Sequence, residues 1–202
     1  MEPDAVRGDR LPRLESERTV LRPLEERDLD ALFAIFSDPE VTRYWSEPAW
    51  RDPGRAAEYL AEIRAHFAER SLFQWGVARR ADDRVVGTAT LFQIDPVHRR
   101  GEIGFALARS AWGEGLMSAT LRALFDFAFG ELGLHRLEAD VDPRNEPSLR
   151  LLERLGFRRE GLLRERYHVA GEVQDSVMLG LLAPEWRAAE ARRHGSRVDD
   201  SA

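Results

Sequence analysis

At 202 residues the chain has room for one domain with a packed core, and its lack of cysteine excludes a disulfide framework or a thiolate metal site. Acidic residues outnumber basic ones, 36 to 30, giving a formal net charge of −6 that argues against nonspecific nucleic-acid binding and favours cationic partners. No apolar run reaches membrane-spanning length and the N-terminus MEPDAVRGDR is not a signal peptide, so a soluble, cytoplasmic protein without a membrane partner is expected.

In chain order, residues 1–12 show no periodicity and are expected to form a flexible tail, with the folded domain over 13–183. RTVLRPL (18–24) reads as a strand ended by Pro23. ERDLDALFAIFSDPEV (26–41) reads as a helix capped at Asp28, with Leu29, Leu32, Phe33 and Phe36 on one face. The loop TRYWSEPAWRDPG holds Trp45, Glu47 and Trp50, and a second helix runs from Asp52–Pro53 to about Glu69. LFQWGVARR and RVVGTATLFQI form a hairpin across Ala81-Asp82-Asp83, and GEIGFALA (101–108) is a third strand in succession. After SAWGEGLMSAT (110–120) a helix is expected from about Ser118 to Phe129, then the strand HRLEADV (135–141). DPRNEPSLRLLERLGF supplies a turn and a short helix stopped at Gly156. A closing hairpin pairs 164–169 with QDSVMLGLL through Ala170-Gly171-Glu172, and 184–202 is expected to be a short helix and a flexible tail. The order β-α-α-β-β-β-α-β-α-β-β implies one α/β (α+β) domain, a mixed sheet with helices on its faces.

The glycines of SAWGEGLMSAT bear on function. A strand running through a glycine turn into a helix N-terminus exposes N–H groups that lack helical partners, and the helix dipole adds positive potential. Gly113 and Gly115 would let phosphate oxygens approach the backbone, with Ser118 adding a hydroxyl. The alternative is a turn with an N-cap serine and no ligand. Gly113-x-Gly115-x-x-Ser118 is one substitution from a dinucleotide fingerprint, with Asp140 roughly where a ribose-binding acid would stand. The antiparallel opening of the chain does not supply the parallel halves of such a fold, and no Walker-type G-x-x-x-x-G-K-[ST] is present.

RGEIGFALARSAWGEGLMSAT resembles the acyl-coenzyme A motif of the GNAT acetyltransferases, and DPRNEPSLRLLERLGFRREG resembles the strand–loop–helix that follows it. Together with TVLRPL and the WSEPAW loop, the resemblance is strongest to the ribosomal-protein alanine/serine N-acetyltransferase (Rim-type) branch. Trp112 and Met117 stand where the superfamily pattern has Gln or Arg, and Gly or Ala. The resemblance implies a GNAT-like, mostly antiparallel mixed sheet flanked by helices on both faces. It implies acetyl-CoA as co-substrate, no metal, transfer to a primary amine such as a protein N-terminus, and a homodimer. It places the pantetheine along Phe105, Ala106 and Leu107, and the diphosphate on the amides of Gly113, Glu114, Gly115, Leu116, Met117 and Ser118, with Trp112 also among the coenzyme-binding residues.

Glu102 shares a strand face with the small residues Gly104, Ala106 and Ala108, and is the candidate base; the alternative is an exposed glutamate paired to an arginine. Many GNAT enzymes use a tyrosine along the helix after Asn145, but this chain has Leu151, Leu152, Glu153 and Arg154 there. Ser148 is therefore the candidate acid toward the departing sulfur, with Asn145 on the coenzyme; the alternative is ordinary helix-start chemistry. Trp45, Glu47 and Tyr167 are the candidate acceptor-side residues, although packing of the first two helices explains the tryptophans equally simply. The five histidines show no metal spacing. A non-catalytic acyl-CoA-binding module and a dinucleotide-dependent enzyme stand as alternatives.

Overall fold

The computed structural model describes residues 10–199. Its strands are β1 (Leu14–Glu15), β2 (Thr19–Arg22), β3 (Leu72–Arg79), β4 (Val85–Asp95), β5 (Arg100–Leu107), β6 (Arg136–Val141), β7 (Arg158–Val169) and β8 (Glu172–Leu182). They form one sheet in the order β1-β2-β3-β4-β5-β6-β8-β7. Every pairing is antiparallel except β5 with β6.

The helices are α1 (Leu29–Phe36), α2 (Gly54–Ala68), α3 (Leu116–Asp126), α4 (Glu146–Arg154) and α5 (Ala183–Asp199). Strand alternation sorts the core into two layers. Phe73, Trp75 and Val77 of β3 pack with Leu121, Leu124 and Phe125 of α3 and with Leu149 and Leu152 of α4. On the other face Ala78 and Ala106 pack with Leu32, Ile35 and Phe36 of α1 and Leu60 and Ile63 of α2. Both sheet faces are therefore covered by helices.

Several boundaries differ from the sequence reading. The first helix stops at Phe36, short of the exit that Pro39 marks in the sequence, and it is entered through a 3-10 turn, Glu26–Asp28. Asp28 makes no capping bond to α1; its carboxylate receives Arg22 Nη1 and Nη2 at 2.8 and 2.9 Å, and the Glu25 N–H at 2.9 Å. α3 begins at Leu116, so Ser118 is its third residue and not its cap; the cap is Gly115, in the left-handed region. β7 starts at Arg158 rather than 164, because Gly156 at φ +101° turns the chain directly into the strand. The expected tail over 1–12 falls outside the described residues as far as residue 9, but Leu11 is buried and Pro12 accepts the Trp75 indole N–H at 2.8 Å. α5 extends to Asp199, and residues 200–202 lie outside the described residues.

Candidate active site

β5 and β6 pair at only three positions, Arg100↔Arg136, Gly101↔Leu137 and Glu102↔Glu138. Beyond Glu102, β5 continues against β4 as far as Leu107, and β6 continues against β8 to Val141. The sheet therefore opens between two parallel strands whose carboxyl ends point the same way. Openings at the carboxyl ends of parallel strands are where α/β sheets bind ligands. Ala108 N–H bonds to Val86 on β4, so alternation directs the Ala106 amide to β4 as well and the Phe105 and Leu107 amides to the open edge.

Glu102 sits at the point of opening. It is buried, at 8% exposure, and its carboxylate neither hydrogen-bonds nor ion-pairs with any described residue. Burial, then the charges of Asp140 and Glu138, push its carboxyl up to about 7, against a smaller opposing effect of Arg166 and Arg100. The other two carboxylates are neutralised. Glu138 receives Arg136 Nε at 2.8 Å and Arg100 Nη1 at 3.0 Å. Asp140 receives Arg166 Nε at 2.7 Å and the Tyr167 hydroxyl at 3.0 Å. Arg166 and Tyr167 reach Asp140 from an irregularity in the β7–β8 ladder between Leu163 and Tyr167, where Glu165 takes φ +55°.

β5 leads into the glycine turn. Trp112 donates its indole N–H to the Leu107 carbonyl at 2.7 Å, which anchors the start of the turn to the end of the strand. Gly113 and Gly115 adopt φ of +76° and +74°, a region costly for any side chain. The backbone N–H groups from Gly113 through Ser118 meet no acceptor within the described chain. A Cβ at Gly113 would touch nothing within 4 Å, so the space before the turn is open. Free amides, open space and a helix N-terminus together fit a diphosphate. Leu116 and Met117 bury their side chains and offer only their amides.

β6 leads to α4 on the other side of the opening. Asn145 caps that helix, its Oδ1 accepting the Ser148 N–H at 3.3 Å, as ordinary helix-start chemistry requires. The hydroxyl of the half-buried Ser148 makes no described hydrogen bond, so it is available.

In the loop between α1 and α2, where the sequence suggests acceptor-side residues, Trp45 and Trp50 pack on Phe36 with ring centroids 5.4 and 4.7 Å apart, and Trp50 packs on Tyr59 at 5.1 Å. These tryptophans tie α1 to α2. Glu47 is exposed, with Arg55 3.8 Å away. Sequence reasoning missed the arginine partners of the site, Arg18, Arg79 and Arg166. No spacing signals them; Arg79 meets Glu114 from 35 residues away.

Comparison with known proteins gives the fold its family. The acetyltransferase (GNAT) domain family matches residues 18–158. The chain belongs to the GNAT acetyltransferases. It is 37% identical over 173 residues to the uncharacterized N-acetyltransferase p20 of Bacillus licheniformis, covering 86% of this chain and 97% of that protein. It is 28% identical over 169 residues to spermidine N(1)-acetyltransferase of Escherichia coli, covering 83% and 88%. Among solved structures, Mycobacterium smegmatis RimJ in complex with CoA-disulfide superposes with a TM-score of 0.80 at 26% identity, covering 92% of this chain and 91% of that one. The sheet of this GNAT enzyme, with one parallel pair, lacks the paired halves of a dinucleotide fold, and Asp140 is occupied by Arg166 and Tyr167. The chain is thus an acetyl-CoA-dependent N-acetyltransferase. No helix among the described residues is long and apolar enough to cross a membrane.

Proposed function

We propose that this enzyme acetylates a single primary amine, most simply the α-amine of a protein or peptide N-terminus, by direct attack in a ternary complex. The observation that carries the reading is Glu102: one buried carboxylate without a partner, at the mouth of the opening, with its carboxyl near 7. An α-amine has a pKa of about 7.7–8.0, against about 10.4 for lysine, so a base of this strength suits the former. A polyamine carries several cations and would favour several free carboxylates. Here Glu138 and Asp140 are already paired with arginines.

When bound, acetyl-CoA supplies the activated acetyl thioester. The amides of residues 113–118 would hold its diphosphate, and the open edge of β5 at Phe105 and Leu107 would carry its pantetheine arm and orient the carbonyl. Glu102 accepts a proton from the acceptor ammonium or from the attacking amine. Ser148 donates to the departing sulfur. Trp45, Glu47 and Tyr167 border the acceptor.

The test is an acetylation screen over N-terminal peptides, lysine side-chain amines and spermidine, read as free thiol released. Preference for an α-amine peptide supports the proposal. Preference for spermidine replaces the acceptor. Tight coenzyme binding without turnover on any amine would instead favour a non-catalytic acyl-CoA-binding module.

A further inference from the structure

Residue 114 stands in the middle of the glycine turn, and its charge is wrong for the ligand. A free glutamate between Gly113 and Gly115 would set a negative charge beside a diphosphate. The structure engages this residue at both ends. Arg79, at the end of β3, grips its carboxylate through two parallel bonds, Nη1 to Oε2 at 2.6 Å and Nη2 to Oε1 at 2.8 Å. Arg18, just before β2, donates Nη1 to its main-chain carbonyl. Arg18 is itself placed by the sheet edge, since its carbonyl accepts the Arg80 N–H at 3.0 Å.

Two consequences follow. One is electrostatic: two guanidinium groups and one carboxylate leave the turn locally cationic, and Arg79 and Arg18 hold the Glu114 carboxyl below its ordinary range. The other is geometric. In a trans peptide the carbonyl of residue 114 and the N–H of residue 115 point in opposite directions, and no cis bond occurs among the described residues. Arg18 on the carbonyl therefore turns the Gly115 N–H away from itself, and the carboxylate grip stops residue 114 from rotating.

We infer that Arg79 is a positioning residue for coenzyme binding, which with Arg18 clamps Glu114, cancels its charge and presets the peptide plane that offers the Gly115 N–H to the diphosphate. This rests on the reading of residues 113–118 as the diphosphate cradle. Both partners of the pair are about one-third exposed, at 29% and 33%, so the clamp adds little to global stability and its loss is felt at the ligand.

The experiment is calorimetric titration of CoA into the wild type, Arg79→Met, Arg79→Met with Glu114→Gln, and Gly115→Val, with steady-state kinetics for acetyl-CoA in parallel. Arg79→Met should weaken CoA by about tenfold or more and raise KM for acetyl-CoA with kcat within twofold. Adding Glu114→Gln should recover most of the affinity by removing the uncovered charge. Gly115→Val should abolish binding. Affinity within twofold of wild type for Arg79→Met, with Gly115→Val dead, overturns the clamp and leaves the cradle standing. A double variant as weak as Arg79→Met also overturns it and assigns Arg79 a direct ligand contact. Retained affinity in Gly115→Val removes the cradle and the clamp together.

Discussion

Glu102 and Glu138 face each other across the last paired position of β5 and β6, and the sheet opens immediately beyond them. Glu138 has two arginines and Glu102 has none, so one carboxylate is tied into ion pairs and the other is left to titrate near 7. Two identical side chains in register thereby serve different ends, a structural anchor and a proposed base.

Glu102→Gln should lower kcat roughly a hundredfold or more while leaving CoA affinity unchanged, because general-base removal typically costs that much. Wild-type kcat/KM should rise with pH through an apparent pKa of about 7, since the base works deprotonated. The variant should lose that limb.

The same carboxyl sets a stability trend of definite sign. It keeps its proton to about pH 7 in the folded chain but only to its ordinary 4.5 when unfolded. Between those values the folded state binds more protons, so this group's contribution to stability falls as pH rises. Glu102→Gln should therefore be more stable than wild type at pH 8, by roughly 3 kcal/mol, and close to it at pH 4. Thermal melts at the two pH values measure the difference.

Asp140→Asn should move the acidic limb of the wild-type pH–rate profile downward. The groups acting on Glu102 are Asp140 and Glu138 from β6, Arg166 from β7 and Arg100 on its own strand, and Asp140 is the largest of the charges raising it. Removing that charge also leaves Arg166 without its partner, which lowers the Glu102 carboxyl further. An unmoved limb would show that burial alone sets it.

Ser148→Ala should reduce kcat more than coenzyme affinity. Its N–H still reaches Asn145, so the helix start survives. Asn145→Ala, in contrast, should cost about 1 kcal/mol of stability through loss of the cap. Separate melts and kinetics on the two variants distinguish an acid from a cap.

Arg22→Met should destabilise by about 3–5 kcal/mol. Arg22 and Asp28 are 2% and 5% exposed in their side chains, and a buried carboxylate stripped of its partner is expensive. Arg22→Met with Asp28→Leu should recover much of the loss. Denaturant unfolding of the single and double variants provides the comparison.

Much of the site was legible locally. The alternation in GEIGFALA puts Glu102 among small residues, and the two glycines of SAWGEGLMSAT permit the left-handed turn that the structure contains. The paired strand, turn and helix on either side of the opening follow from periodicity and turn residues. Misplaced boundaries came from local ambiguity: Ser118 is an equally good cap by type, and only the backbone angle of Gly115 starts the helix earlier. The partners of Asp140, Arg166 and Tyr167, lie 26 and 27 residues away on another strand, so no local signal shows that its carboxylate is already engaged.

By itself, then, the sequence determined the order and type of most elements, the open amides of residues 113–118 and the family, because these depend on periodicity, backbone freedom and contiguous motifs. Only the tertiary structure decided which carboxylate is free. Glu102, Glu138 and Asp140 are equivalent by composition, and every basic residue in the chain is an arginine able to pair with any of them. The register of β5 against β6, the irregularity in β7 and the reach of Arg79 and Arg18 to Glu114 assign those arginines. Charge pairing is set by distance in space, and distances between residues far apart in the chain exist only once the sheet has formed.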